Sequence, residues 1–276
     1  ALVLAGVHPI VILTFFIAAI TIGGLQSIAR VASKIIPFMA LFYVAICIGL
    51  IVVYIDQLPA AIALILEDAF TGQAAVGGFA GSTIMMAMQN GIARGVFSNE
   101  SGLGSAPIAA AAAKTDHPVR QGLVSMTGTF LDTIIVCSIT GIVLVMGILS
   151  NQSPAGETGA ALTTHTFNNM LPGPGGWIVT FGLIFFAYST ILGWCYYGEK
   201  CAAYVFGDGF VPAYRVIYVI TVMLGTVASL DLVWSAADTF NGLMAIPNLI
   251  ALLLLSKVIL KETKDFKARR KSGELP

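Results

Sequence analysis

Residues 98–105 read SNESGLGS and place an ionisable Glu100 and an amide Asn99 between two long apolar stretches. Three serines, two glycines and Leu103 complete the octet. Glycine costs about 1 kcal/mol relative to alanine inside a helix, and serine and asparagine compete for backbone hydrogen bonds and favour helix ends. The octet therefore predicts a helix that stops and restarts, with Pro107 well placed in the first turn of the restart.

A helix break of this kind could bind a small charged molecule. It frees backbone N–H groups, which suit a carboxylate, and backbone carbonyls, which suit a cation. In lipid, unwound backbone is tolerated only where protein or a cavity surrounds it, so the alternatives are a packed kink and an enclosed polar site. A kink requires only glycine or proline, whereas Glu100 and Asn99 lie inside this break. We therefore favour the polar site.

A second polar cluster lies in the apolar stretch FFAYSTILGWCYYGEK, residues 185–200. Ser189 and Thr190 are adjacent and can offer hydroxyl oxygens to a hard cation such as sodium. Trp194 follows Thr190 by four residues, on the same helix face, and its indole could close over a small zwitterion. The alternative is that both hydroxyls bond back to carbonyls of their own helix.

Three further charged residues fall inside apolar stretches, where a charge costs about 2.5–3.5 kcal/mol on insertion scales. Arg94 precedes Glu100 by six residues and either pairs with it or contacts carbonyls at a helix end. Asp132, in GTFLDTIIV, could relay protons or support the break, and Asp238 could mark a hinge in the last apolar stretch.

The elements that must position these residues are membrane helices. The chain is 57% hydrophobic and 10% charged, with a mean hydropathy of +0.90, whereas soluble domains carry about 25% charged residues. A spanning helix needs about 20 mostly apolar residues, and this criterion predicts spans at 8–26, 34–55, 78–112 (interrupted), 122–149, 175–205, 213–230 and 232–256. Segments 58–70 and 159–171 are too short or too polar to span, and we expect amphipathic helices in the interface there.

The distribution of lysine and arginine predicts the orientation of these spans. Thirteen of the 14 basic residues, all except Arg94, follow the first, third, fifth or seventh span. The connections 56–77, 150–174 and 230–232 hold none. Because cytoplasmic loops carry the excess of basic residues, we expect the N-terminus of this chain outside and its C-terminus in the cytoplasm.

Other classes of protein lack support in the sequence. It contains no nucleophile elbow, no phosphate-cradling glycine loop and no HExxH motif, and its three histidines do not cluster. We therefore predict no enzyme activity, no cofactor, no metal beyond a coupling ion and no nucleic-acid partner. A channel would need a continuous polar stripe, and a receptor would need a soluble signalling domain, which the basic tail 261–276 does not provide.

Several stretches resemble the alanine or glycine:cation symporter family. The longest is NGIARGVFSNESGLGSAPIAAAAAKTDHPVRQG (90–122), followed by GTFLDTIIVC (128–137). ILGWCYYGEKC (191–201) and FNGLMAIPNLIAL (240–252) also match family stretches. The resemblance extends over essentially the whole chain.

The resemblance implies an all-α membrane protein with the LeuT-type fold, two inverted five-helix repeats with discontinuous first and sixth helices. The octet then lies in the sixth helix, and the chain provides helices four to ten. The implied divisions are the end of the first repeat (1–56), an external connection (57–77), the second repeat (78–256, broken at 98–105) and a basic tail (257–276). Helices one to three would belong to a missing N-terminal part of the same protein.

The resemblance also implies roles for individual residues. It places the sodium ion at Phe186, Ser189 and Thr190 of the eighth helix. It places the amino acid at the following residues: Phe97, Ser98, Asn99, Ser101, Gly102, Thr190 and Trp194. From the residues themselves we predict structural or coupling roles for Arg94, Glu100, Gly104 and Asp132, with Glu100 bracing the break through backbone N–H groups and Arg94.

The expected function is symport of alanine, and also of glycine, with sodium across a prokaryotic plasma membrane. One alternative is a proton-coupled amino-acid transporter that uses Glu100 or Asp132. The other is a truncated, inactive membrane fragment, because the absent helices supply much of the coordination in this fold. The sequence does not separate alanine from glycine or serine.

Overall fold

Long apolar runs, divided by glycine and proline, fold into helices throughout the described part of the chain. The computed structural model describes residues 24–71, 91–153, 159–171, 173 and 175–275. The helices are α1 (Gly24–Val53), α2 (Leu58–Thr71), α3 (91–99), α4 (Ala106–Ala110), α5 (Pro118–Thr129), α6 (Ser138–Leu149), α7 (Gly159–Met170), α8 (Gly175–Phe206), α9 (Val211–Val227), α10 (Leu230–Leu254) and α11 (Ser256–Ser272). Short 3₁₀ turns lie at Ile55–Gln57 and Asp208–Phe210, and π-helical turns join α5 to α6 over Phe130–Cys137.

The described helices include four that are long and apolar enough to cross a membrane. They are Pro118–Leu149, Val179–Phe206, Asp208–Val227 and Leu230–Leu254. A fifth is possible if the bent pair Pro37–Val53 and Ile55–Glu67 forms one span. The prediction of an all-helical chain is thus confirmed for the described residues, and these apolar helices are consistent with an integral membrane protein. Of the predicted spans, 8–26 lies almost wholly outside the described residues and 78–112 lies partly outside them.

Two of the predicted segments differ from the structure. The helix predicted at 34–55 ends at Val53, and the chain bends by 81° before it continues through α2. The segment 159–171, predicted as an amphipathic helix in the lipid interface, forms α7 over Gly159–Met170, and its apolar side chains pack on protein. Phe167 and Met170 of α7 are buried in a protein core, where Phe167 stacks on Tyr43 with a ring-centroid distance of 5.9 Å.

The chain forms two compact units. The first comprises 1–85 and 136–228 and contains α1, α2 and α6–α9. Its main core joins α1, α2, α6, α7 and α8 around Cys47, Val143 and Met146. A smaller cluster of Leu192, Cys195 and Val219 packs α8 against α9.

The second unit comprises 86–135 and 229–276 and contains α3, α4, α5, α10 and α11. In this unit, His117 lies at the start of α5 and contacts α11. Its extended backbone is what the following Pro118 requires, and its Nδ1 accepts a hydrogen bond from the Val119 N–H at 3.2 Å. The proton of the neutral ring is therefore on Nε2, which lies 3.3 Å from Asp265 Oδ2 of α11. Phe266 packs on the imidazole with centroids 5.1 Å apart.

The pKa of Asp265 indicates the pH range over which this contact helps to hold α11. The hydrogen bond from His117, aided by Arg269, lowers the pKa of Asp265 below its ordinary value of 3.8. A carboxyl group with a lowered pKa stabilises the folded state above its ordinary pKa, and this stabilisation is lost as the pH falls through the lowered value. The contribution of Asp265 to docking should therefore be present at neutral pH and be lost only below about pH 4.

We expect Asp265→Asn to increase the rate of proteolysis within α11 about threefold or more at neutral pH. The matched control is Glu274→Gln, which removes an exposed carboxylate from the same tail and should leave the rate unchanged. Equal cleavage of the wild type and Asp265→Asn would show that Asp265 does not hold the helix.

Candidate functional site

The polar octet forms a sharp interruption between α3 and α4. α3 ends at Asn99, and the next residue, Glu100, has a φ of 56°. Gly102 and Gly104 have φ of 85° and 84°. Positive φ is rare for a residue with a side chain, so Glu100 is a strained position, and such strain clusters at functional sites. α4 restarts with Pro107 in its first turn.

Side chains of the octet bind α5 and the π-helical turns that follow it. Ser98 Oγ donates to Asp132 Oδ2 at 2.7 Å, and Asn99 Nδ2 donates to Thr133 Oγ1 at 3.0 Å. The hydroxyl oxygens of Ser101 and Thr129 lie 3.3 Å apart. π-helical turns are frequent at functional sites because they displace side chains from the regular helical pattern. Three predicted substrate-binding side chains are therefore engaged in holding the break in place.

The interior of the break also has its own hydrogen bonds. Asn99 Oδ1 accepts from the Ser101 N–H at 2.9 Å, and Ser105 Oγ donates to Glu100 Oε2 at 2.7 Å. The carbonyl of Glu100 accepts from the Leu103 N–H at 3.2 Å. Glu100 thus braces the break by closing a loop onto Ser105, which is buried.

Several backbone groups of the break have no hydrogen-bond partner within the described part of the chain. Among the described residues, no donor bonds to the carbonyls of Phe97, Ser98 and Asn99, and no acceptor bonds to the N–H groups of Gly102 and Gly104. The two sets lie on either side of Glu100 along the chain. The break therefore presents carbonyls at the end of α3 and N–H groups before α4, with its polar side chains directed to their own partners.

The prediction that Arg94 pairs with Glu100 is wrong. Arg94 forms an ion pair with Asp238 of α10, and its guanidinium carbon lies 3.9 Å from the ring centroid of Trp234. A separation of six residues places Arg94 and Glu100 on different faces of a helix, and the left-handed backbone of Glu100 turns its carboxylate toward Ser105. Arg94 is thus a link between α3 and α10.

α10 also contacts the break through Asn248. The Asn248 Nδ2 donates to the carbonyl of Gly102 at 2.9 Å. A Cβ at Gly104 would lie 3.1 Å from the Asn248 Oδ1, so glycine there permits a close approach. Phe97 adds an edge contact to Trp234 with centroids 5.3 Å apart. The sequence interpretation missed Trp234, Asn248, Thr129 and Thr133, although the amide in the apolar run 243–255 was a signal.

The second polar cluster lies in α8, in the other unit. Ser189 Oγ donates to the carbonyl of Phe186 at 3.0 Å, which is the back-bonding alternative. Thr190 is exposed on the helix surface. Trp194 contacts Tyr197 edge-on, with centroids 5.7 Å apart, and this face differs from the one that packs against α9 through Leu192 and Cys195.

Near the end of α8 a further ion pair joins it to α9. Arg215 Nε donates to Glu199 Oε2 at 2.8 Å, and a second guanidinium nitrogen donates to Oε1 at 3.1 Å. This two-point contact is the favoured geometry of an arginine–carboxylate pair. Together with Leu192, Cys195 and Val219 it fixes α8 on α9, so the face with Thr190 and Trp194 is held in a defined orientation.

Comparison with known proteins assigns the chain to a family of transporters. The family model described as the sodium:alanine symporter family matches residues 3–276. An uncharacterized transporter of Haemophilus influenzae is 55% identical over 95% of this chain and 57% of its own length. Sodium/alanine symporter AgcS of Methanococcus maripaludis is 52% identical over 97% of this chain and 59% of its own length. Amino-acid carrier protein AlsT of Bacillus subtilis is 36% identical over 95% and 55%.

The chain thus spans less than two thirds of the length of these relatives. Its match to the family model nevertheless extends over nearly all of its residues and includes both polar clusters. The broken helix, its carboxylate and amide partners and the polar face of α8 are therefore features of a family member, and the chain belongs to the sodium:alanine symporter family.

Proposed function

We propose that the protein is a secondary symporter that moves alanine, and also glycine, into the cell with sodium. The observation that carries the proposal is the break between α3 and α4, where side chains hold the loop and several backbone groups have no partner among the described residues. The family supplies the class of transport, and the Methanococcus maripaludis relative is described as a sodium/alanine symporter.

The break suits a zwitterion of small size. The N–H groups of Gly102 and Gly104 can donate to the carboxylate of the amino acid, and the carbonyls of Phe97, Ser98 and Asn99 can accept from its ammonium group. Fixed backbone dipoles then replace part of the hydration that both charges lose. A direct contact of Glu100 with the substrate carboxylate would be repulsive, and its bond to Ser105 directs it away from that role.

α8 is the proposed source of sodium ligands. Ser189 donates its proton to the Phe186 carbonyl, so the lone pairs of its hydroxyl oxygen remain available to a cation. Thr190 adds an adjacent hydroxyl at an exposed position. The roles of Phe186, Thr190 and Trp194 at sodium or substrate remain predictions from the resemblance.

The same resemblance underlies the proposed fold and orientation. We place α3 and α4 in the sixth helix of a LeuT-type arrangement and α8 in the eighth. A C-terminus in the cytoplasm of a prokaryotic cell is supported by the basic residues of α11 and by the bacterial and archaeal sources of the relatives.

The proposal predicts a specific effect of Thr190→Ala on sodium dependence. In proteoliposomes containing the full-length protein, alanine uptake should require external sodium and fall to background when choline replaces it. Thr190→Ala should raise the sodium concentration for half-maximal uptake about tenfold, equivalent to about 1.4 kcal/mol of binding energy, because one oxygen ligand is lost.

Thr221→Ala is the matched control, because Thr221 is an exposed threonine of α9 that bonds back to the Ile217 carbonyl at 2.9 Å. It should leave sodium dependence unchanged. Uptake that follows a pH gradient and ignores sodium would favour the proton-coupled alternative, in which Asp132 contacts the break through Ser98. Absence of alanine uptake under either gradient would reject the proposed substrate.

A further inference from the structure

α11 presents two chemically different faces. One face contacts the N-terminal end of α5: Asp265 and Phe266 touch His117, and Glu262 lies 3.9 Å from the same ring. Arg269, one turn further, pairs with Asp265 at 2.9 Å. Both acidic residues within α11 therefore lie on the docked face, where His117 and Arg269 engage them.

The opposite face carries a lysine stripe: Lys257, Lys261, Lys264, Lys267 and Lys271. Successive members are four, three, three and four residues apart, which is the spacing of neighbours along one side of a helix. All five are exposed. Like charges at this spacing repel one another, so the stripe is a surface that favours bound anions.

The position of α11 places this stripe near a membrane surface. α11 begins at Ser256, directly after the candidate membrane span Leu230–Leu254. Its first turns expose Val258, Ile259 and Leu260, apolar side chains that suit the boundary between headgroups and acyl chains.

The contact of the docked face with His117 determines how far α11 extends from the membrane. At 1.5 Å per residue, a straight extension of α10 would carry Asp265 about 15 Å beyond Leu255. Its partner His117 immediately precedes Pro118, where another candidate span begins. Docking therefore draws α11 toward the level of the lipid headgroups, with the lysine stripe on the face turned away from α5.

We propose that the lysine stripe of α11 binds the headgroups of acidic phospholipids. Charge complementarity carries the assignment, because basic residues close to a membrane attract anionic lipids within about one Debye length. The apolar first turns favour a lipid over a soluble anion, because they need an apolar phase beside the charged layer. The proposal does not depend on the substrate or coupling ion.

Hydrogen exchange in nanodiscs tests the proposal. The full-length protein is placed in nanodiscs of phosphatidylcholine alone or of an equimolar mixture with phosphatidylglycerol. Backbone amides of 257–272 should exchange about tenfold more slowly in the anionic discs at low salt. At about 1 M salt, where the Debye length is about 3 Å, most of this difference should disappear.

Matched triple variants distinguish the effect of the lysine stripe from the effect of total positive charge. Lys257→Gln, Lys264→Gln and Lys271→Gln together should abolish the slowing. Lys114→Gln, Lys200→Gln and Arg270→Gln remove the same charge from positions outside the stripe and should retain it. Equal exchange in both types of disc, or equal effects of the two triples, would overturn the proposal. Slowing by inorganic phosphate in phosphatidylcholine discs would do the same, since a soluble anion would then suffice.

Discussion

Asp238→Asn and Arg94→Met, each made alone in the full-length protein, should reduce the initial rate of the proposed alanine uptake at least tenfold. Each substitution leaves the other charge unpaired. Asp238 lies eight residues into α10, about 12 Å from its start. An unpaired charge at membrane depth costs about 2.5–3.5 kcal/mol. The same loss should lower the thermal stability of both single variants.

The double variant Arg94→Met with Asp238→Asn provides the decisive comparison. Removing both members of an ion pair is often nearly neutral, whereas removing one is strongly destabilising. We therefore expect the double variant to regain most of its stability. Because Arg94 also stacks on Trp234 at 3.9 Å, its uptake should remain below that of the wild type.

Asp231→Asn serves as the control in these measurements. Asp231 lies in the first turn of the same helix, and its side chain is exposed. It should change neither uptake nor stability appreciably. If the double variant proved as unstable as the sum of the two singles, the two residues would act independently and the pair would not link α10 to α3.

The sequence predicts where the helix breaks, but it does not predict which distant residue pairs with Arg94. Glycine, serine and asparagine content indicates where a helix is difficult to continue, because these preferences are local. Apolar length likewise predicts membrane helices, and both the helical class and the family are confirmed. The partner of Arg94, however, is Asp238, which lies 144 residues away along the chain. A local sequence pattern cannot indicate such a contact.

The residues that hold the break were missed for the same reason. Asn248 contacts Gly102 across 146 residues, and Thr133 contacts Asn99 across 34. Thr133 lies in a run that reads as ordinary apolar helix, and the amide of Asn248 stands out in its run but does not reveal its partner. The π-helical turns over Phe130–Cys137 were also not predicted, because helix periodicity in the sequence does not distinguish π-helical from α-helical turns when most side chains are apolar.

Gly104→Ala should impair uptake more than Gly102→Ala, although both glycines have nearly the same backbone conformation. Their φ angles are 84° and 85°, so a side chain meets a similar backbone cost of about 1–2 kcal/mol at either position. Only at Gly104 would the new Cβ also press on Asn248, at 3.1–3.2 Å from three of its side-chain atoms. At Gly102 nothing lies within 4 Å.

Because the backbone cost is the same in both variants, a difference between their uptake rates reports the contact of residue 104 with α10. We expect the initial uptake rate of Gly104→Ala to be at least tenfold below that of Gly102→Ala, measured in the same proteoliposomes at equal protein content. Adding Asn248→Ala to Gly104→Ala should recover part of the loss by removing the crowding, but not all, because the bond to the Gly102 carbonyl is lost as well. Equal impairment by the two single variants would mean that the left-handed backbone alone maintains the break. In that case α10 would contact the loop without controlling its shape.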